Sequence, residues 1–134
     1  MTVKEMLALG WGPSEVTSLR WNCDGIEIDI RDSNGVHGIV VPGSNFVAVL
    51  RGGNETHPQG QLTILSSDGS VHGKLENRVS ISGREFRGVF SWFETAITPF
   101  MDTFGVIFQT DEGGSLRCDV DARKPSLVNA VKVQ

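Results

Sequence analysis

The sequence predicts an all-β protein: an antiparallel sandwich or partly open barrel of about 9–10 short strands, with one or two short helical turns. Two observations lead to this prediction. Glycine supplies 16 of the 134 residues, against a usual share of about 7%. Turn dipeptides such as Asp68-Gly69 also separate short apolar runs, a pattern typical of hairpins. The length is that of one ordinary domain, so we assign residues 1–134 to a single all-β domain.

The first ten residues predict a short helix. Thr2 and Glu5 have the spacing of a capping box, and Gly10 follows as a stop signal. The apolar residues between them fit an edge strand equally well. The segment lacks the apolar core and cleavage site of a secretory leader, so we expect none.

Strict alternation of apolar and polar residues makes Ile26–Arg31 the clearest strand in the chain. The Asn34-Gly35 pair after it predicts a hairpin that returns along Val36–Val41. Counting outward from this turn places Ile30 opposite Ile39, so that the apolar faces of the two strands coincide.

The stretch Arg51–Gly60 contains no hydrophobic residue and is the best candidate for a functional loop, because binding residues are frequent on polar loops. It leads into a strand and has no lysine, so it does not fit a phosphate-binding loop. A plain connection is the alternative. The candidate residues in the loop are Arg51, Asn54, Glu55 and His57.

The second half of the chain continues as strands and tight turns. Gln61–Asn77 predicts a hairpin around Asp68-Gly69, with Leu62, Ile64, Val71 and Leu75 on one face. Further turns are predicted at Ser82-Gly83 and at Asp111–Gly114, and a last strand at Leu127–Val133. The repeated Val-His-Gly tripeptide leaves blade-like repeats open as an alternative architecture.

Aromatic and apolar residues are densest between Phe90 and Phe104. Helical spacing within Phe93–Met101 predicts one or two helical turns there. The segment is either core or an apolar surface for a protein partner, a second copy or a small ligand, since interfaces are enriched in aromatic residues and methionine. The candidate binding residues are Phe90, Trp92, Phe93, Ile97, Phe100 and Met101.

Composition excludes several classes of partner. A formal net charge of −4 with scattered lysine and arginine argues against nucleic acid. No apolar run is long enough for a membrane span. Cys23 and Cys118 have no metal-like spacing, so we expect free thiols in the cytoplasm. The sequence indicates no cofactor and no metal site.

Three functions remain open. We favour a non-enzymatic intracellular interaction module, such as an inhibitor, an immunity-type neutraliser or an assembly protein, binding another protein or its own copy as a dimer or higher oligomer. The first alternative is a barrel for a small apolar ligand, lined by Phe86, Phe90, Trp92 and Phe108. The second is a small hydrolase or lyase that uses Asp119, Asp121 and a histidine, although no nucleophile motif is present.

Overall fold

The computed structural model describes residues 6–9, 18–51 and 60–133. These residues form antiparallel strands and turns, and no helix occurs among them. The strands are β1 (Met6–Leu9), β2 (Ser18–Cys23), β3 (Ile26–Arg31), β4 (Val36–Val40), β5 (Phe46–Arg51), β6 (Leu62–Ser66), β7 (Val71–Leu75), β8 (Arg78–Ile81), β9 (Arg84–Glu94), β10 (Thr103–Thr110), β11 (Ser115–Asp121) and β12 (Ser126–Val133).

The strands make three sheets, ordered β1-β2-β3, β4-β5-β6-β7 and β12-β11-β10-β9-β8. The five-stranded sheet curls until β12 lies near β8, which makes it a nearly closed barrel. The Lys132 ammonium of β12 lies 5.9 Å from the centre of the Phe86 ring of β9, a cation–π contact across this closure. The all-β prediction of a sandwich or partly open barrel is therefore confirmed.

The four-stranded sheet is the middle layer and is apolar on both faces. Alternate residues of β5 point in opposite directions, so Ala48 and Leu50 pack against the five-stranded sheet while Val47 and Val49 pack against the three-stranded one. Burial of both faces explains why β5 reads as a continuous apolar run from Phe46 to Leu50. The larger of the two cores lies between the middle layer and the barrel-like sheet.

The predicted hairpin at Asn34-Gly35 is wrong. β3 pairs with β2 and β4 pairs with β5, so the chain crosses between sheets at this turn. Strand alternation was read correctly, but partner choice depends on distant residues. Ile28 and Ile30 lie beside Trp21 and Leu19 of β2, where they help cover the middle sheet.

The predicted helical turns are also absent from the described residues. Met6–Leu9 is an edge strand, which was the alternative left open, and residues 95–102 form bends and a turn. The backbone N–H groups of Ile97 and Thr98 donate to the side chain of Asp119. Helical N–H groups would instead bond carbonyls four residues earlier, so this long-range contact replaces the helix.

The Asp68-Gly69 hairpin is confirmed, with one change of face. Gly69 has a φ of 88°, which a glycine tolerates without strain. A bulge follows, so that Val71 pairs with Leu65 while Gly73 pairs with Ile64. The extra residue leaves Val71 exposed instead of on the predicted face with Ile64.

Candidate functional site

The structure divides the aromatic segment between core and surface. Phe90 is buried, and Phe93 and Ile97 are half-buried. Trp92, Phe100 and Met101 are 45%, 75% and 62% exposed. The binding role of these six residues stays a prediction, but only the last three present large apolar surfaces to solvent.

A β-bulge accounts for the exposure of Trp92. Opposite β10, Phe90 pairs with Phe108 and Trp92 pairs with Ile107, which leaves Ser91 as an extra residue in β9. An extra residue reverses the face of every side chain that follows it. Trp92 therefore does not line an interior together with Phe90, as the ligand-binding alternative expected, and the indole N–H donates instead to Glu94 Oε1 at 3.2 Å.

Phe100 and Met101 lie in a turn that other elements hold in place. Asp102 N–H donates to the Pro42 carbonyl at 3.1 Å, and the Asp102 carbonyl accepts from Ala122 N–H at 2.8 Å. Thr103 N–H donates to the Phe100 carbonyl at 3.1 Å. These bonds tie the turn to the β4–β5 connection and to the end of β11. We call Phe100 and Met101 the aromatic ridge.

Asp119 holds the segment leading to the ridge. Its two carboxylate oxygens accept the N–H groups of Ile97 at 2.6 Å and Thr98 at 2.9 Å, and its side chain lies under that segment, 1% exposed. Hydrogen bonds to a charged acceptor are among the stronger ones in proteins. The sequence offered Asp119 together with Asp121 as candidates for acid–base chemistry, whereas the structure covers Asp119 with this segment.

Phe100 lines two grooves. One has a volume of about 630 Å³ and runs between the ridge and the start of β12, where Val128 is 63% exposed. The other has a volume of about 280 Å³ and is lined by Val40, Pro42 and Pro99. We call the first the β12 groove. Exposed apolar surface that is shaped in this way is typical of interaction sites.

Charged residues surround the apolar lining of the β12 groove. Asp102, Asp119, Asp121 and Arg123 line it. Asp121 Oδ1 accepts the N–H of Arg123 at 2.9 Å, which shapes the turn that follows β11. The groove thus combines exposed apolar side chains with a predominantly acidic border.

The loop candidate Arg51 lies in a separate groove of about 350 Å³, together with His37 and Trp92. Its guanidinium Nη1 is 3.9 Å from Oδ2 of Asp32, whose side chain is buried. The structure therefore places Arg51 in a groove with two of the candidate residues of the aromatic segment, Phe90 and Trp92. The other candidates in this loop, Asn54, Glu55 and His57, lie outside the described residues.

The arrangement needed for acid–base chemistry is not formed at Asp119 and Asp121. Asp119 uses both oxygens to bond the backbone, and the described residues lining the groove include no histidine. His72 Nε2 instead lies 2.8 Å from the Arg123 carbonyl oxygen. Within the described ranges, no three histidine, cysteine or acidic side chains group to hold a metal ion.

The thiol of Cys118 is not suited to nucleophilic chemistry. Burial, reinforced by the neighbouring charge of Asp119, raises the pKa of this thiol to about 12. The reactive form of cysteine is the thiolate, which is scarce at neutral pH when the pKa is this high. Cys118 is one of the residues that fill the larger core.

The predicted ligand cavity between Phe86, Phe90, Trp92 and Phe108 is not formed by these four side chains. The rings of Phe90 and Phe108 contact each other edge to face, with centres 5.0 Å apart, while Trp92 points outward.

In the described part of the chain, no helix is long and apolar enough to cross a membrane.

The sequence prediction included Phe100 and Met101 but not three further residues that line the same groove, Asp102, Arg123 and Val128. Asp102 and Arg123 lie in turns whose sequences match no binding motif. Val128 is the extra residue of a second bulge, between its paired neighbours Leu127 and Asn129. The only available signal was indirect: an acidic residue, Asp119, between the apolar residues of a core strand.

No protein-family model matches the sequence, and no curated protein matches it. The fold is similar to that of a chain in a solved structure, described as the structure of Tne2 in complex with Tni2. The TM-score is 0.81 at 25% sequence identity, and the match covers 92% of this chain and 82% of that chain. The similar chain thus comes from a complex of two proteins, which is compatible with an interaction module.

Proposed function

We propose that this protein is a non-enzymatic module that binds a partner protein through the aromatic ridge, and that it acts as an inhibitor of the immunity type. The observation that carries the proposal is the fold shared with a chain from the complex of Tne2 with Tni2. A complex of two different proteins favours a distinct partner over a second copy of this chain.

The surface properties of the ridge support this proposal. Phe100 and Met101 are the kind of residues that interfaces use as anchors, and the two grooves that Phe100 lines can receive partner side chains. The hydrogen bonds of Asp102 and Asp119 fix the ridge before binding. A fixed surface loses little conformational entropy when a partner binds, which favours affinity.

An inhibitor of this type acts by covering a site on its partner, so it needs a binding surface and no chemistry of its own. This matches the structural role of Asp119 and the raised pKa of the Cys118 thiol. Our proposal places the protein in the cytoplasm, where the buried thiols of Cys23 and Cys118, which form no disulfide, stay reduced.

The test begins with the tagged full chain as bait in cells of its source organism. A protein that it retains is then purified separately and mixed with the chain, and the complex is measured by size-exclusion chromatography with light scattering. We expect a stoichiometric complex. We also expect that expression of the retained protein alone impairs cell growth, and that co-expression of this chain restores it.

The control bait carries Ile26→Ser and Val133→Ser, which remove two exposed apolar residues of β3 and the far end of β12. This variant should retain the partner, while Phe100→Ser/Met101→Ser should lose it. A chain that forms no complex with any separately purified candidate, or that binds without changing the partner's effect on growth, contradicts the proposal.

A further inference from the structure

The residues that line the β12 groove indicate the chemistry of a partner segment that would bind there. Phe100, Met101 and Val128 all expose more than half of their surface and line this groove. An apolar side chain that fills it would remove these surfaces from water, and this burial is favourable in proportion to the apolar area. At least one apolar residue of the partner is therefore expected here.

The charged lining sets a second requirement. The groove is lined by three carboxylates and one guanidinium, so its lining has a formal charge of −2. The carboxylates are those of Asp102, Asp119 and Asp121, and the guanidinium is that of Arg123. Asp119 is satisfied by two backbone N–H groups. Among the described residues, Asp102 has no hydrogen bond or ion pair through its carboxylate. This carboxylate is available to a cation from outside.

On the basis of the proposed function, we infer that the β12 groove binds a segment of the partner protein in which a lysine or arginine stands next to an apolar residue. The apolar side chain packs between Phe100 and Val128, and the cation lies at Asp102 and Asp121. Complementary charge favours such a segment over an acidic one, because like charges brought together on a surface repel. The net charge of −4 for the whole chain adds attraction at longer range.

The geometry of the groove suits a peptide segment because its walls are held independently of any ligand. Asp119 fixes the Ile97–Thr98 wall, and the backbone bonds of Asp102 fix the ridge. The β12 wall belongs to a five-stranded sheet. Asn129 also lines the groove, and its amide can bond a peptide backbone.

The test uses a phage-displayed library of random linear peptides as the probe and the immobilised full chain as the target. The most enriched peptide is synthesised, and its affinity is measured by fluorescence anisotropy. We expect enriched sequences that place lysine or arginine beside an aromatic or aliphatic residue. Asp102→Asn/Asp121→Asn should weaken binding about fivefold at low salt and less at high salt, and Phe100→Ser should weaken it by about tenfold or more.

Ile26→Ser is the control, because Ile26 is exposed but does not line this groove; it should leave the peptide affinity unchanged. The inference would be overturned if no peptide were enriched or if the enriched peptides lacked basic residues. It would also be overturned if Asp102→Asn/Asp121→Asn bound the peptide with wild-type affinity. Dimerisation of the chain alone that Phe100→Ser abolishes would overturn it as well, since a second copy would then occupy the groove. The proposed function fails differently, by the absence of a complex with a purified partner protein.

Discussion

Asp119→Asn tests whether a buried carboxylate positions the aromatic ridge. The wild-type carboxylate accepts two backbone N–H groups, one on each oxygen, at 2.6 and 2.9 Å. Asparagine offers a single oxygen and replaces the other with an N–H₂ donor. One backbone N–H of Ile97 or Thr98 would then face another donor at a position that is 1% exposed for the side chain involved.

The magnitude follows from the loss of one buried, charge-assisted hydrogen bond. An unsatisfied buried donor destabilises a protein by about 2 kcal/mol. With a urea slope of about 2 kcal/mol/M, the unfolding midpoint should fall by about 1 M. Urea unfolding followed by tryptophan fluorescence measures this change, and Trp92 also reports on the neighbourhood of the segment after β9.

Asp121→Asn is the matched control. Asp121 accepts the N–H groups of Arg123 and Lys124 through the same oxygen, so asparagine retains that acceptor and the midpoint should change little. If Asp119→Asn unfolds at the same urea concentration as the wild type, Asp119 does not hold the segment that contains Ile97 and Thr98. That result would contradict the argument that this carboxylate fixes the aromatic ridge before binding.

Two further predictions concern the core of the barrel-like sheet. Gly88→Ala should lower the free energy of unfolding by at least about 2 kcal/mol, because a Cβ at Gly88 would lie 2.0 Å from the Gln109 carbonyl oxygen. Gly114→Ala is the control, because the nearest atom to a Cβ at that position is 3.6 Å away. Equal urea midpoints for the two variants would contradict the tight β9–β10 packing. Cys118 should resist iodoacetamide at pH 8 in the folded protein and react in urea, because burial raises the pKa of its thiol to about 12. Mass spectrometry distinguishes the labelling of Cys118 from that of Cys23. Equal labelling rates of Cys118 with and without urea would refute its burial.

Local chemistry explains which parts of the fold were predictable. Gly69 and Gly113 both adopt positive φ in their hairpins, and a glycine that follows an acidic residue between apolar runs is a signal that the sequence carries locally. The Ile26–Arg31 strand was likewise visible from alternation alone. Its partner was not, because β2 and β4 offered similar apolar faces and the choice depends on how whole sheets stack.

The site was predictable in composition but not in geometry. The density of aromatic residues drew attention to Phe100 and Met101, which the structure shows to be exposed, while the bulge at Ser91 that turns Trp92 outward leaves no mark in a single sequence. The role of Asp119 was also hidden, because its partners are backbone groups about twenty residues away. Contacts of this kind follow from the path of the chain and not from residue type.

The affinity of the purified partner for the ridge variant tests the central claim most directly. Isothermal titration should show that Phe100→Ser/Met101→Ser binds at least about thirtyfold more weakly than the wild type, a loss of about 2 kcal/mol. The free energy of unfolding should change by less than about 0.5 kcal/mol, because both side chains are largely exposed. The Ile26→Ser/Val133→Ser variant should bind as the wild type does. Wild-type affinity in the ridge variant would contradict the account.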